Sequence, residues 1–185
     1  MERKSCNVAH GDGMGISLLH AIPCHIPPMH IDCHAQTQFP GTAAQAFALC
    51  IDSARFPQWF RGYGPIAAIE RIATDGAPRV GGQRTVYSAD GSVLHERISA
   101  LDPPHHHAYT LSGFRPPFSW LVREGTAAWQ CSAHEAGTQV CWHYSFTLTS
   151  ALAWPLAKPL LAIFMTAAMR RCLDNMMQAL SLEDD

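Results

Sequence analysis

Charge is scarce in this sequence: 15% of its 185 residues are Asp, Glu, Lys or Arg, against roughly 25% in an average globular domain. With 48% hydrophobic residues, such a chain is not of the disordered kind, and its length fits one domain with a sizeable core. Neither sign of charge dominates. Thirteen Lys+Arg against fifteen Asp+Glu give −2, so the basic footprint of a nucleic-acid binder is missing and no nucleic-acid partner is expected. There is no CxxC pair, and seven cysteines are an odd number for a disulfide framework. Free core cysteines in a reducing cytoplasm are the simplest reading. Long apolar runs are lacking too. Asp12, the glycines and His20 break the N-terminal stretch, so no secretory signal is expected there. Residues 151–169 come closest to a membrane span, but Pro155, Lys158 and Pro159 punctuate them. The remaining run, 159–169, is short of the ~20 residues a bilayer requires, so a buried helix is predicted and no transmembrane segment.

Local patterning then orders the elements. Residues 1–29 have no stable period and carry five Gly and Pro residues from Gly13 to Pro28; an irregular extension is expected. A strand follows over 30–39, with Ile31, Cys33 and Ala35 alternating against His30, Asp32 and His34. Thr42 with Gln45 three residues on is a capping-box signature for a helix carrying Phe47 and Ile51 on one face. Pro57 forces a break and a second short helix. Strands are predicted over 66–73, 83–88, 93–101, 107–113, 120–123 with 127–133, and 138–149. The last has the cleanest period of two, with Val140, Trp142, Tyr144, Phe146 and Leu148 on one face. From about 155 to 182 a long helix is predicted, with Leu156, Leu160, Ile163 and Ala167 at helical spacing; residues 183–185 form a tail. No repeats occur.

These residues carry a resemblance. Thr42 to Ile51 followed by Asp52-x-x-x-Phe56-Pro57-x-Trp59, then Gly82-x-Arg84, Asp90-Gly91, Glu96-Arg97, Asp102-Pro103-Pro104 with Tyr109, and Gly137-Thr138-x-Val140-x-Trp142 before a terminal helix together resemble the START-like or SRPBCC superfamily, polyketide cyclase/dehydrase-like branch. The resemblance covers residues 30–182. It implies an α+β helix-grip fold: a curved antiparallel sheet of six to seven strands wrapped around a long C-terminal helix, with two short helices after the first strand, enclosing an apolar cavity. It also implies hydrophobic small-molecule ligands, and cyclisation or dehydration in some members. Residues 1–29 and the 113–118 loop fall outside the pattern.

Glu96 stands out because its strand face also carries Leu94, Ile98 and Ala100. A carboxylate directed into a cavity has its pKa raised by desolvation, which suits a general acid or base; a structurally satisfied Glu or a ligand contact fits the same pattern. If the Asp90-Gly91 turn has two residues, Glu96 lies opposite Thr85, Leu94 opposite Tyr87, and Arg84 opposite Arg97 beside His95 in a solvated basic strip; a three-residue loop would instead set Arg84 against Glu96, the pairing that the resemblance implies. The stripe of Trp142, Tyr144 and Phe146, joined by Tyr87, Tyr109 and Trp129, reads as core or as cavity wall, since buried Tyr and Trp need partners for their polar tips. Trp59 and Tyr63 are expected near the mouth, and Phe164, Met165 and Met169 as an adaptable helical wall.

The histidines and cysteines invite a metal, yet His30 and His34 in a strand would stand about 13 Å apart, and Cys6, His10, Cys24, His25 and Cys33 form no zinc template. No metal and no cofactor are expected. His105, His106 and His107 read as exposed, and Cys141 with His143 as a pair on the face opposite the aromatic stripe. The expected function is therefore binding of a hydrophobic or aromatic, lipid- or polyketide-like molecule between sheet and helix. Two alternatives stay open: a cyclase/dehydrase-type enzyme with Glu96 as acid/base, and a non-catalytic module using residues 151–169 and Arg170-Arg171 against a membrane surface or a protein partner. The sequence is compatible with a homodimer.

Overall fold

The computed structural model describes residues 29–135 and 137–183; the irregular stretch expected over 1–29 therefore lies, Met29 apart, outside the described residues. Seven antiparallel strands form one sheet in the order β1-β7-β6-β5-β4-β3-β2. They are β1 (His30–Phe39), β2 (Ile69–Thr74), β3 (Gln83–Ser88), β4 (Val93–Asp102), β5 (His106–Ser112), β6 (Val122–His134) and β7 (Gly137–Leu148). Between β1 and β2 come α1 (Ala43–Ile51) and α2 (Phe56–Trp59). The Thr42–Gln45 capping box is formed as the sequence demands, and Pro57 sits in the first turn of α2, where its missing N–H costs nothing.

Helical backbone resumes after β7 as α3 (Trp154–Pro159), continues through a π-helical stretch (Leu160–Met165), and ends in α4 (Thr166–Glu183), running one residue into the expected tail. Ala157, Leu161, Ala168, Met169, Cys172, Leu173 and Met176 of this rod are buried. This corrects the predicted face. Leu156 and Ile163, assigned to the core side by their spacing, are 68% and 57% exposed. The first turns are apolar all round, so periodicity alone could not say which side meets the sheet. Among the described residues one helix, Ala151–Leu180, is long and apolar enough to cross a membrane, a test that a core helix also passes. Its buried residues belong to the same core as the inner faces of β1, β6 and β7.

The β6 segment also differs from expectation. It is one continuous strand through Gly125, whose missing Cβ leaves room for the Tyr144 ring; a Cβ there would lie 2.6 Å from Tyr144 Cε1. Trp120 belongs to a preceding 3-10 turn (Phe118–Trp120) and is 70% exposed.

The β3–β4 hairpin departs most consequentially. Its loop has three residues, Ala89, Asp90 and Gly91. Ser88 N donates to Ser92 O at 2.9 Å and Gly91 N to Ser88 O at 2.9 Å, with Gly91 at φ +78°, the left-handed position a three-residue hairpin requires. Relative to a two-residue turn, the register slips by one. Arg84 now faces Glu96, Val86 faces Leu94, and Tyr87 faces Val93.

Candidate functional site

A side chain's face in a strand is fixed by register, so this slip decides the chemistry of the cavity. Arg84 points inward with Glu96, and both are buried, at 7% and 6% exposed. Arg84 Nε donates to Glu96 Oε1 at 2.5 Å, and Nη2 forms an ion pair with the same oxygen. Arg84 Nη1 reaches Ser53 Oγ at 3.2 Å, in the link between α1 and α2. The predicted solvated basic strip is thus wrong for Arg84, while Arg97 and His95 do face solvent. Burial pushes the Glu96 carboxyl above its ordinary range, and the charge and hydrogen bonds of Arg84 pull it part of the way back.

His107 is the second correction: expected exposed, it is fully buried. Strand alternation in β5 turns it inward with Tyr109, while His105 stays exposed. Arg84 Nη2 lies 3.0 Å from His107 Nε2. A guanidinium can only donate, so Nε2 accepts and the imidazole is neutral. Burial, then the Arg84 charge, holds its pKa down to about 4, with the Ala100 backbone pulling the other way. A His whose folded pKa lies below its unfolded value contributes stability above pH 6.5 that is lost as pH falls toward 4. The loss should reach about 2 kcal/mol by pH 5. Urea midpoints measured from pH 8 to pH 5 should fall more steeply for wild type than for His107→Gln; equal slopes would refute the assignment.

The cavity lies between the sheet and the helical elements, with a volume of about 140 Å³. Its apolar wall includes Phe56, Phe60, Ile66, Val86, Leu94 and Leu111; Glu96 and Arg84 are its buried charges, and Asp52, Asp90 and Arg115 line it as well. Exposed Pro65, Asp90 and Arg115 mark the mouth. There Arg115 Nη1 donates to Gly91 O at 2.9 Å, tying the 113–118 loop to the β3–β4 hairpin.

Seven of the residues singled out from the sequence line this space: Glu96, Tyr109, Trp129, Trp142, Tyr144, Phe146 and Met165. Trp129 and Trp142 stack at 4.2 Å between centroids, and Tyr144 lies parallel to Phe146 at 4.4 Å, so these rings are wall and core at once. Burial raises the pKa of both Tyr109 and Tyr144, leaving neutral phenols that can donate a hydrogen bond.

The other five are elsewhere. Tyr87 faces outward, with the Arg71 guanidinium 3.8 Å from its ring centroid, a direct result of the register slip. Trp59 is buried away from the mouth, its carbonyl accepting from Asn175 Nδ2 of α4 at 2.8 Å. Tyr63 and Phe164 pack on one another at 6.1 Å beside the cavity, and Met169 is core. Sequence reasoning missed Phe56, Phe60, His107, Phe114 and Phe118. The last two lie in the loop outside the recognised motifs, where no alternation exists to reveal a buried face.

Cys141 and His143 lie on the outer side of β7, with His143 exposed. Among the described residues no three His, Cys, Asp or Glu gather as a metal site; Cys6, His10, Cys24 and His25 lie outside them.

This architecture can be set against known proteins. The family model for polyketide cyclase/dehydrase and lipid transport matches residues 30–181. The chain belongs to that family. Among solved structures, it is similar to norcoclaurine synthase from Thalictrum flavum, with a TM-score of 0.66, 11% identity, and 86% of this chain and 99% of that one covered. It also resembles the di-domain ARO/CYC StfQ of the steffimycin biosynthetic pathway (TM-score 0.63, 14% identity), where 80% of this chain spans half the length of StfQ. A third similar structure is Ara h 8.0201 (TM-score 0.55, 13% identity, 81% and 99% covered). At these identities the likeness speaks for the helix-grip fold alone. No curated protein matches the chain.

Proposed function

We propose that this polyketide cyclase/dehydrase-family protein binds a compact hydrophobic or aromatic molecule in the cavity between its sheet and its C-terminal helix. The observation that carries the reading is a largely apolar, ring-lined space whose deepest polar groups are the Glu96–Arg84 pair and the buried Tyr109 and Tyr144 phenols, a few convergent polar groups among apolar walls as in small-molecule sites. The 140 Å³ volume is below the roughly 300–1,000 Å³ of drug-sized clefts, which favours a ligand of one or two rings over an extended acyl chain. Titration with 2-naphthol, followed by fluorescence of the stacked Trp129 and Trp142, should saturate at one equivalent. Absence of saturable quenching would refute the reading.

A second reading is favoured by one observation: the Glu96 carboxyl lines the cavity with its pKa raised by burial. In a cyclase or dehydrase, Glu96 would take a proton from the carbon next to a substrate carbonyl while a neutral Tyr hydroxyl stabilises the enolate. Its ion pair with Arg84 weakens it as a base and suits it better as a fixed acceptor. Glu96→Gln discriminates. Loss of turnover on a poly-β-ketone substrate with naphthol affinity retained within about threefold favours catalysis; loss of affinity itself favours an orienting role.

A further inference from the structure

The C-terminal rod buries only one side of an element that is apolar on both. Leu152, Leu156 and Ile163 are 89%, 68% and 57% exposed, and Trp154 is 37% exposed. Trp120 adjoins them: the Thr149 hydroxyl donates to Trp120 O at 2.7 Å and the Thr149 amide to Leu121 O at 3.0 Å. This joins the Phe118–Trp120 turn to the start of the helical rod at 151.

The stretches of sequence that carry this apolar surface are also rich in basic residues. Residues 103–123 and 136–173 contain no Asp or Glu, yet they hold Arg115, Arg123, Lys158, Arg170 and Arg171. These are five of the thirteen basic residues, leaving eight against all fifteen acidic ones in the rest of the chain. All five are exposed. Lys158 Nζ lies 4.5 Å from the Trp154 ring centroid, an aromatic-and-cation pairing of the kind that sits at headgroup level.

We propose that the face formed by the Phe118–Trp120 turn and residues 151–165 docks the protein on an anionic lipid membrane. Exposed Leu, Ile and Trp side chains supply the apolar contact, and Lys158 on this face, with Arg170 and Arg171 just beyond it, supplies attraction to negative headgroups. A second copy of the chain fits this face poorly, because a two-fold interface sets a patch against itself and would bring its Lys158 charges toward one another. Docking there bears on the cavity. The same turn contributes Phe118 and the same rod contributes Met165 to the cavity wall, so the bound face lies alongside the ligand space. The inference stands on the surface and not on the ligand reading.

Flotation with vesicles of phosphatidylcholine, with and without phosphatidylserine, tests it. Wild-type protein should float with the phosphatidylserine vesicles, weakly with phosphatidylcholine alone, and less as salt rises. Leu152→Glu with Leu156→Glu should reduce the bound fraction about tenfold or more, since two apolar contacts are lost and two negative charges gained. Lys158→Glu with Arg170→Glu should erase the preference for phosphatidylserine. The altered positions are exposed, so unchanged melting temperatures and naphthol titrations separate these results from misfolding and from failure of the cavity reading. Wild-type protein that stays unbound, or a Leu variant that floats as well as wild type, overturns the proposal. So does a dimer in sedimentation that the Leu variant dissociates without any flotation of wild type.

Discussion

Arg84→Met should cost about 3–5 kcal/mol of folding stability, the usual penalty for leaving one member of a buried ion pair uncompensated. The cause is specific to this pocket. Glu96 is 6% exposed, and Arg84 holds its Oε1 with two nitrogens, so removing the guanidinium strands a carboxylate in an apolar wall. The same change removes the donor to His107 Nε2 and to Ser53 Oγ. The sign of the pH dependence identifies the mechanism. Without Arg84 the Glu96 carboxyl folds most easily in its protonated form, so its folded-state pKa rises further above the unfolded value. The deficit of the variant should then be largest above neutrality and shrink as pH falls. Arg84→Met with Glu96→Leu should recover most of the loss, because a well-packed apolar pair replaces a buried ion pair at little net cost. Urea denaturation of both variants from pH 8 to pH 5 checks this; a single variant within about 1 kcal/mol of wild type would refute the pair's structural role.

Why the sequence read Arg84 wrongly while placing its strand correctly is a matter of what local patterns encode. Alternation located β3 over Gln83–Ser88 to the residue and put the β7 stripe on its buried face. The Thr42–Gln45 box and Pro57 marked two helix starts because caps and proline act over three or four residues. Loop length is different. Asp90-Gly91 is compatible with a two-residue turn and with the three-residue loop closed at Ser88 and Ser92, and one residue reverses the pairing of Arg84 and Tyr87. Glu96 survived the error because its own strand alternation, and not its partner, sets its face. The rod after β7 exposes a second limit. A helix apolar on every side gives no phase, so Leu156 and Ile163 passed for core when Ala157 and Leu161 fill that place. Phe114 and Phe118 were illegible for a third reason: loop side chains are placed by tertiary contacts, such as the packing of Phe118 on Phe146, that no period records.

Leu94→Trp should abolish binding of a ring-sized ligand, by about a hundredfold or more, while changing stability by only about 1 kcal/mol. Leu94 lines the cavity from β4, opposite Val86. On its other side the pairing with β5 ends at the neighbouring residue, His95 with Ser112. A larger ring at this position therefore has one flank without a paired neighbour, and it grows into the void in preference to a packed layer. Overpacking normally costs 1–3 kcal/mol because a filled core must shift; here much of the added volume enters the existing 140 Å³, and the gain in apolar contact offsets the strain. Trp142→Ala makes the opposite kind of change. It removes a ring stacked on Trp129 and in edge contact with Phe56 and Phe60, and should cost about 3–5 kcal/mol, so a loss of ligand there would not separate wall from core. Filling the cavity does separate them. A Leu94→Trp protein that melts like wild type but no longer responds to 2-naphthol places the ligand in this space, and one that still binds it with unchanged affinity moves the ligand elsewhere.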